Sequence, residues 1–168
     1  MHRSRERVVG VVNSTPLIAL SIVGHLDLLP LLLDDVVIPA SVHKEVIAQG
    51  RGRPGSTQVS QAEWFTVSRP HETSPLPAEI MGLDQGEIDV ILLARELEAA
   101  WVLIDEKLAR QIAKAMGLQV RGTLGVLLAA YRAGLLSRED SLRAVRKLAR
   151  SSVRLSDKLT RWFEEQLG

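Results

Sequence analysis

The sequence predicts an α/β protein: a parallel sheet packed between helices, with a helical extension at the C-terminus. Three observations lead there. Short apolar runs rich in β-branched residues recur through the first 120 residues. Segments with helical spacing of apolar residues alternate with them. Beyond them, only helix-spaced segments remain, so helices close the chain.

The elements follow in order. Residues 8–12 form a continuous apolar run, as expected of a strand buried on both faces of a parallel sheet. Pro16 suits the first turn of the next helix, with Ser14 or Thr15 as its cap and residues 17–23 continuing it. Residues 27–33 form a second, Leu-rich helical piece. Residues 36–38 are the second strand, stopped by Pro39, and 40–49 are helical with Val42 and Val46 inward. Residues 50–55 read as a flexible basic loop. Residues 64–67 are a short edge strand, and 68–77, with three prolines, are irregular. The clearest helix is 84–98, where Asp84 and Glu87 approximate a capping box. Residues 101–104 are the next strand and 106–116 the next helix, ended by Gly117. Residues 118–120 make the last strand. Helices follow at 123–133, 137–149 and 156–167.

One domain is expected over 1–168, with 1–7 as a flexible tail and about 136–168 as the helical extension. Hydrophobic residues make up 46% and charged residues 24%, which fits a globular protein, and aromatics only 4%, so aliphatic side chains must fill the core. A formal net charge of +1 offers no argument for nucleic-acid binding from total charge, so a local basic face is needed. Without cysteine there are no disulfides, thiol nucleophiles or thiolate metal sites. Arg3, Arg5 and Arg7 before an apolar stretch resemble a signal peptide, but residues 13–16 interrupt the stretch and no clear cleavage site follows. It also falls short of the roughly 20 apolar residues a membrane helix needs. The reading is a cytoplasmic protein with no membrane contact.

Four polar residues stand where strands end or helices begin: Asn13, Glu45, Glu87 and Asp105. In an open α/β sheet the carboxyl ends of strands meet at one crevice, where ligands bind. Each position also has a purely structural explanation. Glu87 completes a capping box, Asp105 suits an N-cap, Glu45 suits a solvated helix face and Asn13 a turn. Together they make an oxygen-rich set suited to a hard divalent cation, which can activate water for attack on a phosphodiester. Helix N-termini offset part of the crowding of carboxylates. Competing chemistries are poorly supported: there is no GxSxG elbow, no Walker A lysine and no GxGxxG after the first strand.

Several stretches resemble the PIN-domain family. They are residues 11–20, Val37-Ile38-Pro39 with Glu45, Leu83-Asp84-Gln85-Gly86-Glu87, Leu103-Ile104-Asp105-Glu106 with Ala109-Arg110, and residues 117–125. They span roughly residues 8–135, and their order and spacing carry the match. The Leu-Asp-Gln-Gly-Glu and Gly-Thr-Leu-Gly stretches are similar to a bacterial and archaeal PIN subgroup close to VapC-type toxins. The resemblance implies a three-layer α/β/α sandwich around a parallel sheet of four to five strands. It implies a Mg²⁺- or Mn²⁺-dependent endoribonuclease, the toxin of a toxin–antitoxin pair, with the metal held by Asn13, Glu45, Glu87, Asp105 and Glu106 and the chemistry resting on the first four. The family's first acid is usually Asp, and Asn13 stands there. Its amide oxygen can ligate a hard cation without bringing a charge. The second reading is therefore a catalytically attenuated PIN-like module that binds RNA or protein.

Ser14 or Thr15 is expected to orient water or phosphate. Lys107, Arg110, Arg51 and Arg53 are the expected RNA contacts. Arg143, Arg146, Lys147, Arg150 and Arg154 read as a solvated helix face. The resemblance also implies a homodimer, formed over apolar surplus in residues 26–33 and 126–131. An antitoxin is expected to cover the pocket, with an Arg among the carboxylates.

Overall fold

Five parallel strands form one sheet in the order β3-β2-β1-β4-β5, and helices cover it. The computed structural model describes residues 4–48, 50, 52–71, 76–153 and 155–168. The strands are β1 (Val9–Val12), β2 (Asp35–Pro39), β3 (Phe65–Ser68), β4 (Trp101–Leu103) and β5 (Val120–Arg121). The helices are α1 (Ser14–Ile22), α2 (Leu28–Leu32), α3 (Ala40–Ile47), α4 (Ser56–Gln61), α5 (Gln85–Glu96), α6 (Lys107–Ala115), α7 (Thr123–Arg132), α8 (Arg138–Ala149) and α9 (Asp157–Gln166). This is the expected α/β sandwich, with α8 and α9 as its C-terminal extension.

The central strands are apolar along their length because both faces are covered. Val11, Val12, Ile38, Val102, Leu103 and Ile104 are fully enclosed. The edge strand β3 has Thr66 and Val67 exposed and is the short piece expected at an edge. The chain winds from β1 to β2 to β3, then returns to place β4 on the other side of β1. The direction of winding therefore reverses between β1 and β4, and a crevice opens at their carboxyl ends.

Some local expectations change. Asn13, not Ser14 or Thr15, occupies the N-cap of α1, and its side chain makes no capping bond there. The stretch before β3 holds α4, which went unread because Val59 is its one buried apolar side chain and sets no period. Gly55 opens it, donating its N–H to Gln58 Oε1 at 3.2 Å. A 3₁₀ turn at Ala78–Gly82 leads into α5 and buries Ile80.

The apolar surplus of α2 and α7 is largely absorbed inside the chain. Leu28 and Leu29 are buried, as are Val126, Leu127 and Leu128. Leu31 alone of the large residues in α2 is far out, at 64% exposure. The extension covers α7: Phe163 of α9 is fully buried, and Tyr131 donates its hydroxyl to the Leu167 carbonyl at 3.0 Å. Ser137 and Ser156 cap α8 and α9 through their side chains, as their residue type favours. Among the described residues, no helix is long and apolar enough to cross a membrane.

Candidate active site

The crevice begins at Asn13. Its backbone N–H donates to the Leu103 carbonyl at 3.0 Å, which extends the β1–β4 pairing one residue past the strand. The side chain is 6% exposed and reaches the N-terminus of α5. A methyl group on Gly86 would lie 3.6 Å from Asn13 Oδ1 and 3.3 Å from Val42 Cγ2, which places the amide oxygen beside the first turn of α5. The neighbouring Ser14 is buried, and its hydroxyl donates to Glu45 Oε1 over a long 3.5 Å. Glu45 itself is exposed on α3.

Glu87 lies one turn into α5 and is the most enclosed acid of the group, at 6% exposure. The capping box forms as the sequence implied. Asp84 Oδ1 accepts from the Glu87 N–H at 2.8 Å, and Glu87 Oε1 accepts from the Asp84 N–H at 3.1 Å. Glu87 Oε2 is buried without a hydrogen-bond donor among the described residues. Capping thus explains half of this carboxylate and leaves the other half unexplained.

The electrostatics agree. Burial pushes the Glu87 carboxyl above its ordinary pKa, the Asp84 backbone bond opposes this, and the charges of Asp84 and Glu106 add to it. Burial also raises Glu45, joined by the charge of Asp84 and opposed by Ser14. Four carboxylates therefore share one field. Among the described residues the ion pairs are Arg7 with Asp35 and Arg143 with Glu139 and Asp140, so none neutralises this cluster. Asp84 belongs to the cluster electrostatically, although its sequence signal is only that of a cap.

Asp105 follows β4, beyond Leu103 and Ile104, and is held by the start of α7. Asp105 Oδ1 accepts from the Thr123 N–H at 2.7 Å and Oδ2 from the Thr123 hydroxyl at 2.6 Å. Both oxygens thus anchor the start of α7, whose N-cap Gly122 has no side chain to offer. The adjacent Glu106 is exposed at the N-cap of α6, and its charge reaches Glu87. The spare carboxylate Asp89 is held between α3 and α5 by Ser41 Oγ at 2.5 Å and Gln85 Nε2 at 2.7 Å.

Arg110 donates through Nη1 to the Ile104 carbonyl at 2.9 Å and, with Thr15, lines a groove beside Asp105 and Glu106. Lys107 is exposed at the start of α6, and Arg53 is exposed before α4. Arg51 lies outside the described residues, as does Arg154. Sequence reasoning missed Arg121, Lys158 and Trp162, which line the same groove.

Gly122 makes this corner possible. A Cβ there would sit 2.7 Å from Asp105 Oδ1 and 2.9 Å from Arg110 Nη1. Asp105 has no room to yield while both its oxygens are bonded. Gly122→Ala is expected to detach Asp105 from Thr123 and to destabilise the fold by about 1–3 kcal/mol, the usual cost of overpacking. Thermal denaturation checks this, and an unchanged melting temperature would show that the corner is loose.

Among the described residues, no three His, Asp or Glu side chains converge closely enough to hold a metal ion as they stand. The donor chemistry nevertheless fits a hard divalent cation. It consists of oxygens alone, it lacks a neutralising side chain, and it contains the buried, unpartnered Glu87 Oε2. A crevice at the switch point of a parallel sheet marks an α/β protein that takes its ligand at the strand ends. The PIN-domain profile matches residues 9–168, all but the first eight residues, and the chain belongs to the PIN-domain family. PIN domains carry nuclease-type function. No curated protein matches the chain.

Proposed function

We propose that this protein is a divalent-metal-dependent endoribonuclease acting as the toxin of a toxin–antitoxin pair. The observation that carries the nuclease part is Glu87 Oε2, a buried carboxylate oxygen without a donor among the described residues and in the field of Asp84 and Glu106. Such an oxygen is costly to bury as a charge unless the carboxyl keeps a proton or a cation meets it.

Glu87, Glu45, Glu106 and the Asn13 amide oxygen are the residues that would hold Mg²⁺ or Mn²⁺. The bound ion supplies Lewis-acid chemistry, activating water for attack on phosphorus and stabilising the oxygen that leaves. Ser14 orients the Glu45 carboxylate. Asp105 fixes the N-terminus of α7 through Thr123, so in this arrangement it acts as a positioning residue. Breaking that pair frees a fifth carboxylate for the crevice. Arg110 and Lys107 offer positive charge to the RNA backbone. The toxin role, the antitoxin and a cytoplasmic location are supported by the resemblance of the stretches at residues 83–87 and 122–125 to proteins close to VapC-type toxins. The homodimer is supported by the resemblance to PIN-domain proteins.

The test uses purified protein with single-stranded RNA and, separately, single-stranded DNA in Mn²⁺ or Mg²⁺. RNA is expected to be cut and EDTA to stop the reaction. Mn²⁺ is also expected to raise the melting temperature, because it binds the folded state. Intact RNA under every metal condition would sink this reading. The second reading, an attenuated binding module, is favoured by one observation: an uncharged amide stands at the first ligand position.

A further inference from the structure

The groove beside the crevice extends onto the C-terminal extension and has a composition of its own. Its volume is about 860 Å³, and its walls include Asp105, Glu106 and Arg110 as well as Lys158, Leu159 and Trp162 of α9. Arg121 lines it too. Among the described residues, none of Arg110, Arg121 and Lys158 takes part in an ion pair. Two of these heads are fixed in place. Arg110 is bonded to the Ile104 carbonyl, and the Arg121 guanidinium lies 3.9 Å from the centre of the Trp101 ring.

Helix α9 is anchored by one face and open on the other. Phe163 is fully buried and Leu167 nearly so, whereas Trp162 is 41% exposed and Leu159 46%. A large aromatic on a firmly seated helix, next to cations that make no ion pair among the described residues, is the combination that receives unpaired nucleotides. A peptide would cover the apolar wall equally well, but phosphates also answer the three cations.

We propose that this groove holds single-stranded RNA, with Trp162 stacking on an unpaired base and Arg110, Arg121 and Lys158 meeting the phosphates. Helix α9 then selects unpaired over duplex RNA and leads the strand toward the acids. The proposal rests on the nuclease reading for its substrate, but binding is measurable without cleavage.

Fluorescence anisotropy with short labelled oligo(U), oligo(A) and an RNA duplex, all in EDTA, tests it. The natural protein is expected to prefer the single strands. Trp162→Leu, which keeps apolar volume but loses the ring, is expected to weaken their binding roughly tenfold. Trp162→Phe, which keeps a ring, is expected to stay close to the natural protein, and equal melting temperatures confirm that both variants fold. Lys158→Ala should reduce the slope of log affinity against log salt by about 0.7, the share of one phosphate contact on a single strand. Undiminished binding by Trp162→Leu, or equal affinity for duplex, overturns the proposal. So does no binding to any oligonucleotide, which leaves the groove to a protein segment. If Trp162→Leu loses binding while no protein cuts RNA in Mn²⁺, the groove stands and the nuclease reading falls. If RNA is cut and Trp162→Leu retains binding and KM, the groove proposal falls alone.

Discussion

Glu87→Gln is expected to abolish metal-dependent cleavage and, at the same time, to raise the melting temperature of the metal-free protein. The two effects share one cause. Glu87 Oε2 is a buried charge without a donor, pushed by Asp84 and Glu106. An amide of the same shape keeps the Oε1 contact to the Asp84 N–H and removes the charge. The gain is on the order of 1 kcal/mol, as for relieving one unsatisfied buried group. In a chain of this size that amounts to about 2–4 °C. A residue kept only for capping would show the opposite sign, because Glu would then be the better partner.

The pH dependence separates these cases further. The folded pKa of Glu87 lies above its ordinary value of 4.5. Between the two values the folded state holds a proton that the unfolded chain has released. Stability therefore falls as pH rises through this window, and the loss is complete above the folded pKa. Glu45 contributes with the same sign. The advantage of Glu87→Gln should be absent below pH 4.5, grow with pH, and then level off. With Mn²⁺ the order reverses, since the natural protein gains stability from binding that the variant lacks. Equal melting temperatures for the two proteins across this pH range would remove the argument for a charge-starved site.

Much of this arrangement could be read from local sequence, and its limits have physical causes. The strands announced themselves because parallel strands are covered on both faces and must be apolar along their length. The capping box of α5 was legible because it is written in four consecutive residues, Asp84 to Glu87. Helix α4 was not, because Val59 is its one buried apolar side chain. That Asn13 and Asp105 follow neighbouring strands depends on β4 lying beside β1 with Val12 opposite Leu103. Strand order and register are tertiary facts, and no local pattern encodes them. The same holds for Arg121, Lys158 and Trp162, which lie far from Asp105 in sequence or in a strand of two residues and meet only because α9 packs back onto α7. Asn13 was legible in identity and position, but its aim at Gly86 was not.

That aim makes Asn13→Asp the most decisive substitution. Asp and Asn are equally good N-cap residues, so α1 should form as before. The nearby N-termini of α1 and α5 partly offset a new negative charge. What changes is the crevice, where a fifth carboxylate joins Glu45, Asp84, Glu87 and Glu106, none of which has an ion-pair partner among the described residues. Without metal the variant should therefore melt lower than the natural protein, and Glu87 should hold its proton to still higher pH. With Mn²⁺ the same carboxylate becomes a charged ligand in place of an amide. Calorimetry should show Mn²⁺ binding at least about tenfold tighter, equivalent to about 1.4 kcal/mol. Cleavage of single-stranded RNA should rise with it. If the natural protein already cuts RNA and the variant only improves it, Asn13 is a working neutral ligand and the enzyme is competent as it stands. If cutting appears in the variant alone, the chain is an attenuated PIN domain that retains its groove. If neither Mn²⁺ affinity nor melting temperature responds, Asn13 Oδ1 does not face the metal position, and the first ligand must be sought elsewhere in the crevice.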